Sequence, residues 1–234
     1  MCDLENCDPN DLSRPSVSPT DRRLFLAGAL ALPLATILAN VDLAEAQAAK
    51  GVSIKQTTAD GRTVSAYFAE ADKKDAPVVI LIHEWWGLND NIKTMAEDIR
   101  AKGFHAIAID LFNGSVASNR DEAKTQTKAV KASEANATIA AWVDWAKANG
   151  NGKVATLGWC FGGGWSLSAA LNTKLDAAVI YYGRVTANAD SLKKLNAPLL
   201  GHFGTLDKSI NPELVGAFQK NLAEAGKSDL MTTY

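Results

Sequence analysis

Five short apolar runs alternate with helical stretches between residues 78 and 226, and this alternation constrains the fold more than any other feature of the sequence. The apolar runs are Val78–Ile82, Ala106–Ile109, Val154–Leu157, Ala177–Tyr181 and Pro198–Phe203. The helical stretches are Asn91–Lys102, Arg120–Asn149, Phe161–Asn172 and Asn211–Gly226. A strand that is apolar along its whole length suits a sheet that is buried on both faces. The alternation therefore predicts an α/β fold in which helices cover both faces of a mostly parallel sheet.

A β-hairpin is predicted ahead of the first apolar run. Residues 52–57 and 62–69 alternate apolar and polar side chains on either side of Asp60-Gly61. An Asp-Gly turn between two alternating segments is a strong hairpin signal. We expect residues 49–234 to form one domain, because a chain of this length can bury a single core.

The first 48 residues have a different character. Residues 1–20 are polar and contain three prolines, so they are expected to be disordered for want of apolar area that would offset the entropy of ordering. Residues 21–48 contain an Arg-Arg pair, then an uncharged run, then Ala-x-Ala sites. This order is typical of a cleavable twin-arginine signal peptide.

The alternative for the uncharged run Leu24–Val41 is a retained membrane anchor, since its eighteen residues reach the lower end of what spans a bilayer. A general secretory signal is disfavoured, because acidic residues outnumber basic ones before the run and the pair Arg22-Arg23 precedes it directly. We expect cleavage near Gln47 or Ala49. The mature protein would then be periplasmic, without stable membrane association.

The cysteine content and the net charge limit the kinds of function that the protein can have. Cys2 and Cys7 lie in the segment expected to be removed, so Cys160 is left as either a buried apolar filler or a working thiol without a disulfide partner. The formal charge of -2 offers no basic field for nucleic acid. We expect a monomer that acts on a small molecule and needs neither a cofactor nor a metal.

The segments that directly follow the predicted strands are the candidates for a functional site, because open α/β sheets bind ligands at the carboxyl ends of their strands. These segments are His83–Gly87, Asp110–Gly114, Cys160–Gly164, Tyr182–Arg184 and Gly204–Asp207. They concentrate thiol, carboxylate, imidazole and aromatic side chains.

The segment Gly158–Gly163 has the Gly-x-nucleophile-x-Gly spacing of the α/β-hydrolase elbow, with Cys160 as the nucleophile. Glycines two residues before and after the nucleophile let strand and helix approach each other in so sharp a turn. The thiol would stand at the N-terminus of a helix starting at Phe161, which favours a thiolate. The alternative is a glycine-rich turn with a buried cysteine.

Two carboxylates follow other predicted strands. Asp207 comes after the nucleophile in chain order, as does the acid that orients a histidine in α/β-hydrolases. Its alternative role is that of a turn or N-cap aspartate. Glu84 stands next to Trp85 and Trp86 directly after a buried strand, and its alternative is a solvated loop glutamate.

These motifs resemble the dienelactone hydrolases, or carboxymethylenebutenolidases, from about Val52 to Tyr234. The shared segments are Glu84–Gly87, Ala108–Phe112, the elbow at Gly158–Gly163, Tyr181–Gly183 and Gly204–Asp207. An elbow cysteine combined with an early glutamate is the specific part of this resemblance.

The resemblance implies an α/β-hydrolase fold and hydrolysis of a small lactone or ester through a covalent acyl-thiol intermediate. It makes Cys160 the nucleophile, Asp207 the residue that orients the base, and Glu84 a group that governs ionisation of the thiol. It also implies an oxyanion hole formed by the backbone N–H groups of Trp85 and Phe161.

The resemblance further implies a catalytic histidine after one more strand, and no histidine of the sequence is a good match. His105 is expected at the opposite edge of the sheet, His202 within a strand, and His83 beside Glu84, where it could support the site from behind. We therefore expect a C-terminally truncated hydrolase that is inactive as given. The alternative is a complete protein without the base.

Arg184, Tyr182 and Trp86 are candidates for contacts with the substrate, and Arg120 is a weaker one. Arg184 would suit the carboxylate of an acidic lactone. Two other functions stay open at this point: a non-catalytic binding protein with the α/β-hydrolase fold, and another esterase, thioesterase or peptidase of that fold.

Overall fold

The computed structural model describes residues 50–233, which form an eight-stranded mixed sheet with helices on both faces. The strands are β1 (Val52–Thr57), β2 (Thr63–Ala69), β3 (Val78–Ile82), β4 (His105–Ile109), β5 (Val154–Trp159), β6 (Ala177–Tyr181), β7 (Leu199–His202) and β8 (Met231–Thr233). The helices are α1 (Asp90–Ala101), α2 (Arg120–Ala129), α3 (Ala132–Asn149), α4 (Phe161–Asn172), α5 (Ala189–Leu192) and α6 (Pro212–Glu224), followed by a 3₁₀ turn (Ser228–Leu230).

The strand order in the sheet is β1-β2-β4-β3-β5-β6-β7-β8. The predicted hairpin is confirmed, since β1 pairs with β2 in antiparallel fashion. β2 is also antiparallel to β4, and every pairing from β4 through β3 to β8 is parallel. The predicted α/β fold with a mostly parallel sheet is therefore confirmed.

Four helices begin directly after an asparagine that caps them. The side chains of Asn89, Asn119, Asn188 and Asn211 each accept a hydrogen bond from a backbone N–H of the first turn. An Asn at this position satisfies a donor that the helix itself leaves unpaired. The start of these helices is thus encoded locally.

Apolar side chains bury both faces of the sheet. On one face α1 packs Ile92 and Ala96 against β2, β3 and β4. On the other face α3 contributes a buried cluster around Trp142, and α6 packs Phe218 and Leu222 beside α4. The helix α4, which follows Cys160, therefore packs beside both α3 and α6 on the apolar core.

The predicted helix over Arg120–Asn149 is wrong in one respect, since it is two helices. Val130 and Lys131 are extended, with ψ of 117° and 130°, and separate α2 from α3. No proline or glycine marks this break. Val130 packs against the core cluster beneath α3, so tertiary packing outweighs helix propensity here.

Strand and helix ends shift by one or two residues from the predicted ones. Pro198 precedes β7 rather than starting it, because proline has no N–H to donate to a neighbouring strand. β5 extends through Trp159, so it ends directly before Cys160. The short helix α5 was not predicted. The strand β8 confirms that residues 229–234 contain the beginning of the one further strand that the resemblance implies.

The carboxyl end of the central strand β3 is where a functional site is expected. Strand β3 lies between β4 and β5, and the connection after β3 leads through α1 to β4, whereas the connection after β5 leads through α4 to β6 in the opposite direction. Such a switch point opens a crevice at the carboxyl ends of the strands. Ile82 of β3 pairs in register with Gly158 of β5, so the segments that follow the two strands start side by side.

The predicted disordered segment 1–20 and signal peptide 21–48 lie outside the described residues. Within residues 50–233, no helix has the length and apolar character that crossing a bilayer requires.

Candidate active site

Cys160 occupies a strained elbow between β5 and α4. Its φ of 52° and ψ of -114° are values that non-glycine residues rarely adopt. The Cys160 N–H donates to the Tyr181 carbonyl oxygen at 3.0 Å, and the Cys160 carbonyl accepts from the Gly163 N–H at 3.1 Å. These bonds fix the turn, and the side chain is exposed at its tip.

The glycines around Cys160 are required by close packing of backbone atoms. A Cβ on Gly158 would overlap the Gly162 carbonyl, and a Cβ on Gly162 would overlap the Ile82 carbonyl of β3. A Cβ on Gly163 would stand 2.8 Å from the Gly183 Cα. The N-terminus of α4 is thereby seated directly on the ends of β3 and β6.

The electrostatic surroundings of the Cys160 thiol disfavour the thiolate overall. Partial burial of the sulfur raises the pKa of Cys160 and is the largest cause. A hydrogen bond from the Phe161 N–H lowers this pKa, whereas the negative charges of Glu84 and Asp207 raise it. The thiol therefore rests mainly protonated near neutral pH.

Glu84 follows β3 and is held by a tyrosine that follows β6, the second strand along the sheet from β3. The Tyr182 hydroxyl donates to Glu84 Oε1 at 3.0 Å. Tyr182 has a positive φ of 40°, and its N–H donates to the His202 carbonyl at 2.8 Å. Burial and the adjacent Glu84 charge raise the pKa of Tyr182, so its hydroxyl stays protonated and available as a donor.

Asp207 is oriented by its own loop. Its Oδ1 accepts from the Ser209 N–H at 2.7 Å and the Ile210 N–H at 3.0 Å, and these bonds lower the pKa of Asp207. Its other oxygen, Oδ2, makes no hydrogen bond within residues 50–233. The carboxylate thus stays ionised and keeps one oxygen free to accept from another group.

Two backbone N–H groups stand where an oxyanion hole is expected. The Phe161 N–H is the first amide of α4 and bonds the Cys160 thiol. The Trp85 N–H follows β3 and has no acceptor in the described part of the chain. Because β3 and β5 are adjacent, both amides border the crevice in which Cys160 stands.

His83 holds the Glu84 segment in place rather than facing the site. It is fully buried, and its Nδ1 lies 2.6 Å from the Glu84 carbonyl. Its Nε2 accepts from the Leu111 N–H at 3.1 Å, so Nδ1 carries the proton and donates. Burial lowers the pKa of His83, which keeps the ring neutral. This geometry agrees with the expectation that His83 lies beside Glu84 and supports the site from behind.

The other two histidines do not approach the thiol as free bases. His105 starts β4 at the opposite edge of the sheet, with Nδ1 accepting from the Ala71 N–H and Nε2 next to the Lys74 carbonyl. His202 ends β7, and its ring stacks on Tyr181 with centroids 4.4 Å apart. All three histidines of the chain are thus in structural positions.

A cavity of about 740 Å³ joins several of the predicted site residues. Cys160, Trp85, Phe161, Tyr182, Arg184 and Asp207 all line it. Trp86 is not among the lining residues and packs edge-on against Trp85, with centroids 5.1 Å apart. Arg120 is exposed at the start of α2 and does not line the cavity either.

The sequence did not indicate the part of the cavity wall that belongs to helices. Thr127 of α2 lines it, as do Trp165, Ser168 and Leu171 of α4. Only the spacing of Ser168 and Leu171 behind Cys160 could have suggested that they share a helical face with it. Within residues 50–233, no group of three or more His, Cys, Asp or Glu side chains is arranged to hold a metal.

Comparison with known proteins agrees with this geometry. The family model described as the dienelactone hydrolase family matches residues 64–234. The chain belongs to the dienelactone hydrolase family. Carboxymethylenebutenolidase 1 of Cupriavidus pinatubonensis is 26% identical over 175 residues, which cover 70% of this chain and 74% of that protein. A provisionally named carboxymethylenebutenolidase of Escherichia coli O157:H7 is 30% identical over 194 residues, covering 74% of this chain and 71% of the relative.

A solved structure shares the fold. A provisionally named dienelactone hydrolase of Klebsiella pneumoniae superposes with a TM-score of 0.69 at 24% identity, covering 79% of this chain and 85% of that one. The predicted resemblance to the dienelactone hydrolases is confirmed. Membership of this family supports a lactone or ester hydrolase that acts on a small molecule.

Proposed function

We propose that this protein hydrolyses a small lactone or carboxylic ester through attack by the Cys160 sulfur. The observation that carries this proposal is the strained elbow, which exposes a thiol at the switch point of the sheet and at the N-terminus of α4. A strained backbone persists only where the surrounding structure holds it, and it is concentrated at functional sites. A structural cysteine would not need this conformation.

The proposed reaction proceeds in two steps. The Cys160 thiol gives up its proton as its sulfur attacks the carbonyl carbon, and the negative charge that develops on the carbonyl oxygen is stabilised by the N–H groups of Trp85 and Phe161. The bond from the carbonyl carbon to the alcohol oxygen breaks, and this oxygen takes up the proton that the thiol released. Water then attacks the acyl-thiol, which releases the acid and restores the thiol.

Glu84 and Asp207 have different roles in this proposal. Glu84 keeps the thiol protonated while the site is empty, because its negative charge opposes a thiolate. An anionic substrate that draws Tyr182 or the carboxylate away would remove this restraint. Asp207 presents Oδ2 to a base and holds it in the orientation needed to accept a proton.

The base itself is not supplied by a histidine of this chain. Each of the three has a structural position, as described above. Acylation of Cys160 by an activated ester is therefore expected, whereas release of the acyl group is expected to be slow. Formation of the acyl-enzyme can therefore be tested separately from complete turnover.

Arg184 is proposed to attract an acidic substrate. It is exposed on the wall of the cavity that contains Cys160, and it forms no ion pair within residues 50–233. An unpaired guanidinium can bind a carboxylate through two parallel hydrogen bonds. Tyr182 and Trp85 would flank the reacting part of that substrate.

The test is detection of the acyl-enzyme. The full chain is mixed with p-nitrophenyl acetate, and intact-mass spectrometry with peptide mapping locates the acetyl group. We expect one acetyl group on Cys160 and none in Cys160→Ala, while a variant with Cys2 and Cys7 replaced by Ala behaves as the wild type. Acetylation that persists undiminished in Cys160→Ala would contradict the nucleophile assignment.

A non-catalytic binding protein is the second candidate, and the structural positions of the three histidines favour it. Such a protein would keep the cavity and bind a lactone without forming a covalent adduct. Isothermal titration calorimetry that detects lactone binding, together with no mass increase on Cys160, would support this candidate over the hydrolase.

We also propose that the protein acts in the periplasm as a monomer after export by the twin-arginine route. The order of the Arg-Arg pair, the uncharged run and the Ala-x-Ala sites supports this. Light scattering on the purified mature protein tests the monomer.

A further inference from the structure

The cavity extends from Cys160 along one face of α4. Gly164, Ser168 and Leu171 line it, and their spacing places them on a single side of the helix. From Phe161 to Leu171 the helix rises by about 15 Å. We call this part of the cavity the α4 groove. It is longer than a small lactone needs and is continuous with the nucleophile.

Two polar side chains of the α4 groove, Ser168 and Thr127, are already hydrogen-bonded elsewhere. The Ser168 hydroxyl donates to Asn136 Oδ1 at 2.8 Å on α3. The Thr127 hydroxyl donates to the Ala123 carbonyl at 2.7 Å within α2. These groups therefore offer little to a polar ligand.

The rest of the groove wall is largely apolar. Trp165 and Leu171 line it from α4, and Ala187 and Ile210 line it from the loops after β6 and β7. All four side chains are only half-buried. A concave apolar surface next to a reactive group is typical of a ligand site. The groove thus matches an apolar chain whose one end reaches Cys160.

We propose that the α4 groove binds an extended apolar arm of the substrate, an unbranched alkyl or aryl group attached to the ester. This inference rests on the proposed function, and it names the substrate class as an ester with a long apolar substituent rather than a compact polar lactone. Burial of one methylene contributes about 0.8 kcal/mol, which corresponds to about fourfold in a rate or affinity. Chain length is therefore the property that the groove selects.

The experiment uses alkylation of Cys160, because this reaction needs no base and no turnover. N-methyl-, N-butyl- and N-octylmaleimide react with the full chain, and peptide mapping gives the rate of adduct formation at Cys160. Each rate is divided by the rate of the same reagent with glutathione, which removes differences in intrinsic reactivity. We expect the octyl reagent to exceed the methyl reagent by at least about tenfold, because its chain enters the groove.

Two variants test whether the groove causes this preference. Thr186→Glu places a charge on the exposed groove wall, and Leu171→Gln replaces an apolar side chain at the far end. Both should reduce the octyl-to-methyl ratio at least about threefold while the methyl rate stays within about twofold. Thr125→Glu, on an exposed position of α2 outside the groove, is the matched control and should leave the ratio unchanged.

The outcomes separate this inference from the proposed function. A flat dependence on chain length, or a ratio that neither variant lowers, overturns the groove as a binding site for an apolar arm. Thermal unfolding of Leu171→Gln shows whether that variant is folded, and Thr186→Glu gives an independent result because Thr186 is exposed. If the hydrolase proposal were wrong and the groove proposal right, p-nitrophenyl acetate would not acylate Cys160, while the octyl-to-methyl ratio of maleimide rates would still be high.

Discussion

Replacing Glu84 by Gln should make the Cys160 thiol more reactive near neutral pH. The substitution removes a negative charge and keeps the size and shape of the side chain. Since the Glu84 charge raises the pKa of Cys160, its removal lowers that pKa and increases the thiolate fraction. The thiolate is the species that reacts with iodoacetamide.

The size of the effect follows from the exposure of the site. Two unit charges about 4 Å apart interact by about 1 kcal/mol in water and by about 4 kcal/mol near a protein surface. The Cys160 sulfur is only partly buried and the residue is exposed to water, so solvent screening brings the interaction towards the lower value. This corresponds to about a fivefold faster alkylation at a pH below the pKa of the thiol. The difference should vanish above that pKa, where both proteins are fully ionised.

The assay is the rate of iodoacetamide alkylation of Cys160 as a function of pH, followed by mass spectrometry. Asp207→Asn should accelerate alkylation less than Glu84→Gln does, because the Asp207 charge raises the pKa of Cys160 by less. Glu70→Gln, at an exposed position beyond the far end of β2, should have no effect. The same acceleration should shorten the lifetime of the thiol under peroxide. An unchanged pH profile in Glu84→Gln would refute the reasoning and leave Glu84 as a loop carboxylate.

Three further predictions concern packing, export and turnover. Gly162→Ala should lower the free energy of unfolding, measured by urea titration, by about 3 kcal/mol, because the added Cβ would overlap fixed backbone atoms of β3. The control Gly216→Ala adds a Cβ in open space on α6 and should be neutral or stabilising by up to about 1 kcal/mol. Replacing Arg22 and Arg23 by lysine should retain the protein in the cytoplasm in a fractionation assay, and unchanged delivery to the periplasm would indicate the general secretory route. The chain without its first 48 residues should show only slow steady-state hydrolysis of p-nitrophenyl acetate. A fast steady-state rate that depends on Cys160 would show that the chain does contain a base.

The sequence predicted the fold well because the relevant signals are local. Apolar runs indicate buried strands, and Asp60-Gly61 indicates the hairpin. The break at Val130 was missed because it depends on where that side chain packs in the assembled core. Such long-range packing leaves no signal in the neighbouring residues.

The position of the candidate residues at one edge of the sheet could be predicted from the sequence, whereas their contacts could not. Chain order and strand ends brought Cys160, Glu84 and Asp207 together as candidates, since the ends of parallel strands meet at one edge of the sheet. The bond from Tyr182 to Glu84 and the burial of His83 between two backbone segments were not predicted. They depend on side-chain directions that only the folded chain determines.

The arrangement around Cys160 combines two opposing influences on one thiol. The first amides of α4 favour a thiolate, whereas partial burial and two carboxylates oppose it. A thiol at this position without the carboxylates would be ionised more often and would be open to oxidation in an oxidising compartment. The carboxylates lie on loops after β3 and β7, and Asp207 lines the cavity, whereas the amides belong to the start of α4. In the proposed reaction, a substrate that weakens the restraint of the carboxylates would leave the stabilising amides in place, so the resting thiol would become a nucleophile only when that substrate is bound.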